Sequence, residues 1–434
     1  MSKQTKQYSG IPGNRIVGPL TPSQVIGCPR KRAPKSSLRE RLRTFSVFVL
    51  FLSLNLSDLA GAATFTNPVG DTPVYMGDPF VFWHAGRYYL LGSTAVDKGF
   101  QCYESLDLVH WQLKGWAWCK TTNSWAVGAF WAPEVKFYRG KFYMSYSGLV
   151  RGSVPDQLRM ALAVSDTAEG PYRDLYAPWF DPGYSTIDGH LFVDDDGTPY
   201  VYFSRNGTLD GCSFGMIYGV QLERDLSKPV GQPVKLLEAS QPWERVNWAK
   251  NRCNEGATVL KHRGRYYMTY SANHTFLPDY GIGYATAEKP LGPWTKADEN
   301  PILKTRLDLG VSAPGHNSIV RSPDGTELFI VYHSHADPKK PSDHRVVNID
   351  RVEFTADGRI RVKGPTRSPQ PLPSGAKGTT GAGCFRTFES EGRWWQMQRF
   401  ADLESLAWTL VGCHCFVQTG KWIPVRRSFS RPRQ

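Results

Sequence analysis

Three things are scarce in this sequence, and each shortage excludes a class of function. The first is positive charge on the body of the chain. All 434 residues together carry a formal net charge of +13, but residues 1–44 contribute +9 and residues 371–434 contribute +5, which leaves residues 45–370 at −1. A nucleic-acid-binding domain carries its basic patch on the folded part, so no nucleic-acid partner is expected. The second is long apolar runs. Phe45–Leu56 is the one apolar-rich stretch of note, and it falls short of the roughly 20 residues that a membrane-spanning helix needs. The third is cysteine in a metal-binding spacing. Four of the eight Cys lie in the body, at Cys102, Cys119, Cys212 and Cys253, and they match no zinc pattern. Cys102–Cys119 and Cys212–Cys253 are candidate disulfides, with free buried thiols as the alternative.

The short apolar run has its own reading. The basic stretch RKRAPKSSLRERLR precedes it and Ala60-Gly61-Ala62 follows it, which is the charged region, apolar core and small-residue site of an export signal. The expectation is a basic N-region and signal peptide over 1–62. The mature chain then starts near Ala63, is secreted or periplasmic, and keeps no stable membrane insertion.

Also missing is any long amphipathic helical pattern. In its place stand five versions of one hairpin: DPFVFWHAGRYYLLGS from Asp78, APEVKFYRGKFYMSYS from Ala132, DGHLFVDDDGTPYVYFS from Asp188, EGATVLKHRGRYYMTYS from Glu255 and GHNSIVRSPDGTELFIVYH from Gly315. Their turn glycines, Gly86, Gly140, Gly197, Gly264 and Gly325, are 54, 57, 67 and 61 residues apart. Glycine supplies the positive φ of tight hairpin turns. Further strands recur between the hairpins, as in ALAVSDTAEGPYRD (161–174) and GYATAEKPLGPWTK (283–296). About four strands per repeat is the pattern of a β-propeller. The fold class expected is therefore all-β, a five-bladed β-propeller over 63–370, with a linker and tail of no assigned role over 371–434. A β-sandwich would not explain a fivefold copy.

In a propeller the first strand of each blade lines a central channel, so equivalent positions on five blades converge on a ring. Asp188, Glu255 and His316 each precede their turn glycine by nine residues and Asp78 by eight. Glu134, or one of its neighbours, takes the second place. Alone, Asp78 and Asp188 read as turn residues and Glu255 as an edge charge; the shared position makes them a candidate site. Phe130 and Trp131 stand beside the second ring position, where they either wall the channel for a sugar ring or fill the core. Asp194-Asp195-Asp196-Gly197 has the composition of a calcium loop, but a hairpin turn explains it.

The segments GDPFVFWHAGRYYL, FWAPEV, IDGHLFVDDDGTPY, NEGATVLKHRGRYYMTYS and GHNSIV…VYH, in this order, resemble glycoside hydrolase family 43 over about residues 65–370. The resemblance implies a five-bladed propeller that hydrolyses xylose- or arabinose-containing polysaccharides or oligosaccharides, plant-type or algal, with inversion. It implies Asp78 as general base, Glu255 as general acid and Asp188 as the residue that tunes and orients the acid. It also implies that Arg345 contacts substrate and that His316 meets a metal ion or water in the channel. No cofactor is required on this reading, and calcium or another metal at His316 is an option. The chemistry needs such a set: inversion takes one protonated carboxyl at the leaving oxygen and one carboxylate holding water on the opposite face. Endo-arabinanase action, or a non-catalytic sugar-binding propeller, is the alternative. The five-bladed fructoside hydrolases open on Asn-Asp-Pro, which this chain lacks.

Overall fold

The computed structural model of the protein describes residues 63–152 and 157–376, together with the backbones of four short strands beyond them. The export segment expected over 1–62 lies outside the described residues. Among the described residues the architecture is all-β; its helical elements are two single 3-10 turns, Pro242–Glu244 and Leu307–Leu309.

The strands fall into five antiparallel meanders of four. The first is Gly77–His84, Arg87–Ser93, Gly99–Ser105 and Gln112–Cys119; the second is Ala126–Tyr138, Lys141–Val150, Leu158–Ser165 and Arg173–Tyr176. The third is Thr186–Val193, Pro199–Leu209, Cys212–Leu222 and Pro229–Glu238; the fourth is Asn251–His262, Arg265–Ala272, Gly281–Ala287 and Thr295–Lys296. The fifth is Gly315–Arg321, Leu328–His335, Arg345–Phe354 and Ile360–Lys363. A short parallel pairing, Ser213–Gly215 with Asn251–Cys253, joins the third and fourth meanders into one eight-stranded sheet.

The sequence accounts for these strands. Over Gly77–Phe82 buried and half-buried residues alternate, as a strand with two unlike faces requires. The second strands are apolar on both faces: Arg87–Ser93 is buried at every position after the first, because each sheet is covered on both sides. The apolar residues collect into five clusters, each between two neighbouring meanders. Leu91, Phe100 and Tyr146 lie between the first and second; Leu162 and Phe203 between the second and third; Tyr202 and Met268 between the third and fourth. Tyr267 and Ile330 lie between the fourth and fifth, and Leu90 and Val331 between the fifth and first. The series of cores thus returns to its start.

The ends of this body are tied together. Thr64–Phe65 pairs with Gln370–Pro371, and the Asn67 side chain bonds both the carbonyl (2.7 Å) and the N–H (2.9 Å) of Ile349. Beyond it, Arg386–Ser390 pairs with Arg393–Met397, and Cys413–Val417 with Lys421–Val425.

Both candidate disulfides are overturned: Cys102, Cys119, Cys212 and Cys253 are free thiols. Cys102 stands opposite Gly115 and Cys119 opposite Gly99, so they are three rungs apart, or about 10 Å at strand spacing. Cys253 stands opposite Gly215, again three residues from Cys212. A disulfide requires Cα atoms within about 7 Å.

Candidate active site

The first strand of every meander breaks register at an equivalent point, and that of the second meander breaks twice more before it. Just before the break, Gly77 faces Ser93, Trp131 faces Ser147, Ile187 faces Ser204, Glu255 faces Ser271 and Gly315 faces His333. The next residue in each strand has a left-handed backbone: Asp78 (φ 52°), Ala132 (45°), Asp188 (58°), Gly256 (62°) and His316 (46°). For residues other than glycine this conformation costs about 1–2 kcal/mol and persists where the surroundings fix it.

Here the preceding meander fixes it. Ser93 Oγ accepts the N–H of Ala132 at 2.9 Å, Ser147 Oγ that of Asp188 at 3.1 Å, Ser204 Oγ that of Gly256 at 3.3 Å and Ser271 Oγ that of His316 at 2.8 Å. His333 Nδ1 accepts the N–H of Asp78 at 3.1 Å. Five side chains, each on a second strand, therefore lock five first strands in place. The fifth bond runs from the last meander back to the first.

This ring gathers Asp78, Asp188, Glu255, His316 and Arg345, which the sequence had singled out, and it corrects two other assignments. The second ring position belongs to Ala132; Glu134 lies further along the strand, where its Oε2 meets His190 Nδ1 at 2.6 Å. His190 Nε2 accepts the N–H of Val259 at 3.1 Å, so Nδ1 carries the proton and Glu134 belongs to a buried layer below the ring. Phe130 is fully buried among Phe100, Trp118 and Tyr146; it fills the core and offers no face to a sugar. Trp131, on the opposite face of the strand, is only half-buried. Glu255 itself sits one residue before its left-handed position, which Gly256 takes; a Cβ there would stand 3.2 Å from the His316 ring.

The carboxylates have unlike surroundings. Asp78 Oδ1 receives Arg345 NH1 at 2.7 Å and lies 3.3 Å from His316 Nδ1, while Oδ2 accepts Ser93 Oγ at 2.5 Å. Burial opposes its ionisation, but the Arg345 guanidinium, His316 and the Ser93 bond outweigh burial and hold its pKa well below the usual carboxylate range. Asp78 is an anion at any working pH. Asp188 is the converse: burial, with the negative charges of Glu255 and Asp78, pushes its pKa up to about 7, against the pull of His316 and of Ser204, which donates to Oδ2 at 3.2 Å. For His316 burial favours the neutral ring, yet the carboxylates Asp78, Asp188, Glu134 and Glu255 prevail and raise its pKa. Glu255 Oε1 accepts Tyr280 OH at 2.8 Å and Oε2 accepts Cys253 Sγ at 3.2 Å. It stands on the wall of a cleft bordered by Asn206, Phe214, Asn251, His274 and Thr275.

Sequence reasoning missed Ser93, Ser204, Tyr280 and His333. A signal for three of them was present, since the repeated hairpins end on Ser, Ser, Ser, Ser and His at the five locking positions. Tyr280 lies between strands and carried none.

Among the described residues no group of three or more His, Cys, Asp or Glu side chains is placed to hold a metal ion. The acidic run is spoken for: Asp194 receives Lys261 Nζ at 2.9 Å and Tyr266 OH at 2.5 Å, Asp195 pairs with Lys261 at 2.8 Å, and Asp196 accepts the N–H of Thr198 at 2.8 Å.

The model of the family described as Glycosyl hydrolases family 43 matches residues 65–360. The chain is 29% identical over 320 residues to the beta-D-galactofuranosidase xynD of Aspergillus niger, covering 69% of this chain and 86% of that one. It is 28% identical over 323 residues to the extracellular exo-alpha-(1->5)-L-arabinofuranosidase of Streptomyces avermitilis, covering 68% of this chain and 63% of that one. Among solved structures, a thermostable family-43 glycoside hydrolase superposes with a TM-score of 0.68 at 49% identity, covering 71% of this chain and 99% of the other.

Proposed function

This chain belongs to glycosyl hydrolases family 43, and from that premise we propose that it is an exported, inverting hydrolase of arabinose- or xylose-containing glycans built on a five-bladed β-propeller. That it is a glycoside hydrolase follows from the family. The propeller reading is supported by five four-stranded meanders whose cores follow one another in a closed series. The substrate class is supported by the arabinofuranosidase among its relatives and by the motifs themselves. For export the support is the basic stretch, apolar run and Ala60-Gly61-Ala62; N-terminal sequencing of exported protein is expected to begin near Ala63, and recovery of the basic stretch would reject it.

One observation carries the mechanism: three carboxyl groups from three meanders meet in one cluster, and of these Asp78 is held as an anion by the Arg345 guanidinium while Glu255 borders the open cleft. Asp78 is the general base. Arg345 and His316 keep it ionised and aimed, and it orients a water and takes its proton as the glycosidic bond breaks. Glu255, on the cleft wall, is the general acid; Tyr280 and Cys253 steer its two oxygens. Asp188 is buried and interacts with the charges of both Asp78 and Glu255. Arg345 acts on Asp78 and meets substrate from the base side of the ring.

The test is leaving-group dependence. Glu255→Ala should slow a natural glycoside by ~10²–10⁴-fold and a dinitrophenyl glycoside far less, because that leaving group departs without a proton. Asp78→Ala should slow both alike. NMR of the first product formed should show the inverted anomer. Retention, or equal losses for the two variants on both substrates, would reject this division of roles.

A further inference from the structure

We propose that His333 is a positioning residue for both catalytic carboxyls, fixing Asp78 through its Nδ1 and bracing Glu255 through the face it presents to Tyr280. The proposal rests on the roles given above to Asp78 and Glu255.

Four of the five locking positions hold serine; only the one that locks the base holds histidine. His333 is fully buried. Its Nδ1 stands 3.1 Å from the Asp78 N–H and 3.5 Å from Asp78 Oδ1. One nitrogen cannot accept from the first and donate to the second, and the shorter, directed contact is the bond to the N–H. Nδ1 therefore carries no proton, and the longer contact is not an ion pair. The groups facing the ring keep it that way. Burial and the Arg345 guanidinium, with His316 and His335, lower its pKa well below the ordinary histidine value, against the pull of Asp78. Its Nε2 lies 3.5 Å from Thr275 Oγ1.

The ring's second contact explains why serine would not serve. His333 stacks on Tyr280 with centroids 5.8 Å apart and planes within 2°. Tyr280 OH is the donor to Glu255 Oε1, and Gly315, which faces His333 across the ladder, leaves room for the Tyr280 ring where any Cβ would overlap it. One flat side chain thus reaches the base through an edge nitrogen and the acid through a face. Serine has the acceptor but no face.

Three variants separate the two contacts. His333→Asn keeps an acceptor near the Nδ1 position and loses the stacking face; His333→Phe keeps the face and loses the acceptor; His333→Ala loses both. A misplacement of about 1 Å in a catalytic group costs ~10²-fold in rate. His333→Phe should therefore lower kcat by about that factor on dinitrophenyl and natural glycosides alike, since every substrate needs the base. His333→Asn should fall mainly on the natural glycoside, where the acid is needed. Melting temperatures are measured on all three. Losses that are equal on both substrates for every variant and follow the fall in Tm would reduce His333 to a packing residue and overturn the proposal, as would wild-type kinetics in His333→Ala. Asp78→Ala and Glu255→Ala run as controls: if they keep activity, the catalytic reading fails on its own account. A readout independent of activity then still decides the contact to Asp78. The imidazole ¹⁵N signals of His333, assigned by their loss in His333→Asn, should report an unprotonated Nδ1 from pH 5 to 8, and a proton on Nδ1 in that range would refute it.

Discussion

Replacing Asp188 by Asn should stabilise the protein, and should do so more at high pH than at low. The carboxyl titrates at 3.8 in a free chain and at about 7 in the folded one, chiefly because it is buried and then because Glu255 and Asp78 face it. A carboxyl whose folded-state pKa is raised favours the fold below the unfolded value, and that advantage is lost as pH rises through the folded value. With one pKa unit worth about 1.36 kcal/mol, the loss is about 2 kcal/mol at pH 5 and about 4 kcal/mol at pH 8. Asn fills the same space and has no proton to lose. Glu255 and His316 face Asp188 and absorb part of the change, so the stability gap between Asp188→Asn and the parent should widen by about 2 kcal/mol from pH 5 to pH 8. Urea unfolding at the two pH values, with midpoint and slope fitted for both proteins, measures it. The same variant should lose most of its activity, the usual exchange where an active site holds a group against its preference. A gap that is the same at both pH values would mean that Asp188 is not held protonated by its surroundings, and the electrostatic account of the cluster would fall.

Phe130→Ala should cost about 3–5 kcal/mol of stability, as truncation of a buried aromatic does, and leave KM unchanged in the folded fraction; Trp131→Ala should raise KM with a small effect on unfolding. Gly77→Ala should drive the Arg345 guanidinium away from Asp78, since a Cβ there would overlap it. With that positive charge gone the Asp78 pKa rises, so the acid limb of the pH–rate profile should move to higher pH and kcat should drop; an unmoved limb would separate Arg345 from the base. Activity should survive extended treatment with EDTA, because Asp78 can activate water without a metal ion; complete loss restored by a divalent cation would reverse this reading.

The sequence made the repeats legible because hairpins are local. Turn glycine, apolar alternation and strand length all lie within about twenty residues, so five copies could be aligned by eye. The convergence of Asp78, Asp188, Glu255 and His316 followed from that alignment, as equal positions in equal repeats must meet. Errors entered at the turns. The left-handed residue stands eight places before its glycine where the turn has two residues (Asp78, Ala132, Gly256) and nine before it where the loop is longer (Asp188, His316), so a count of nine put Glu255 in the place that Gly256 holds; Glu134, only six before Gly140, fits neither count. Phe130 and Trp131 are neighbours in sequence on opposite faces, and no count separates a wall from a core until the break at Ala132 is known. His333 and Asp78 are 255 residues apart and meet only when the fifth meander closes on the first. The role of Tyr280 needs both His333 and Glu255 in place first.

The zipped ends of the body have a consequence of another kind. The N–H of Leu372 bonds the carbonyl of Ala63 at 3.1 Å, so the body's first and last residues are neighbours, and the polypeptide is a loop in all but one covalent link. Where that loop is cut is then a matter of synthesis rather than of architecture. A chain joined across Ala63 and Leu372 and opened instead at the exposed turn Arg139-Gly140 would contain the same five cores and the same ring of locks in a different reading order. The body is thus specified by which side chains face each other around the circle, and the order in which the ribosome makes them is a separate matter.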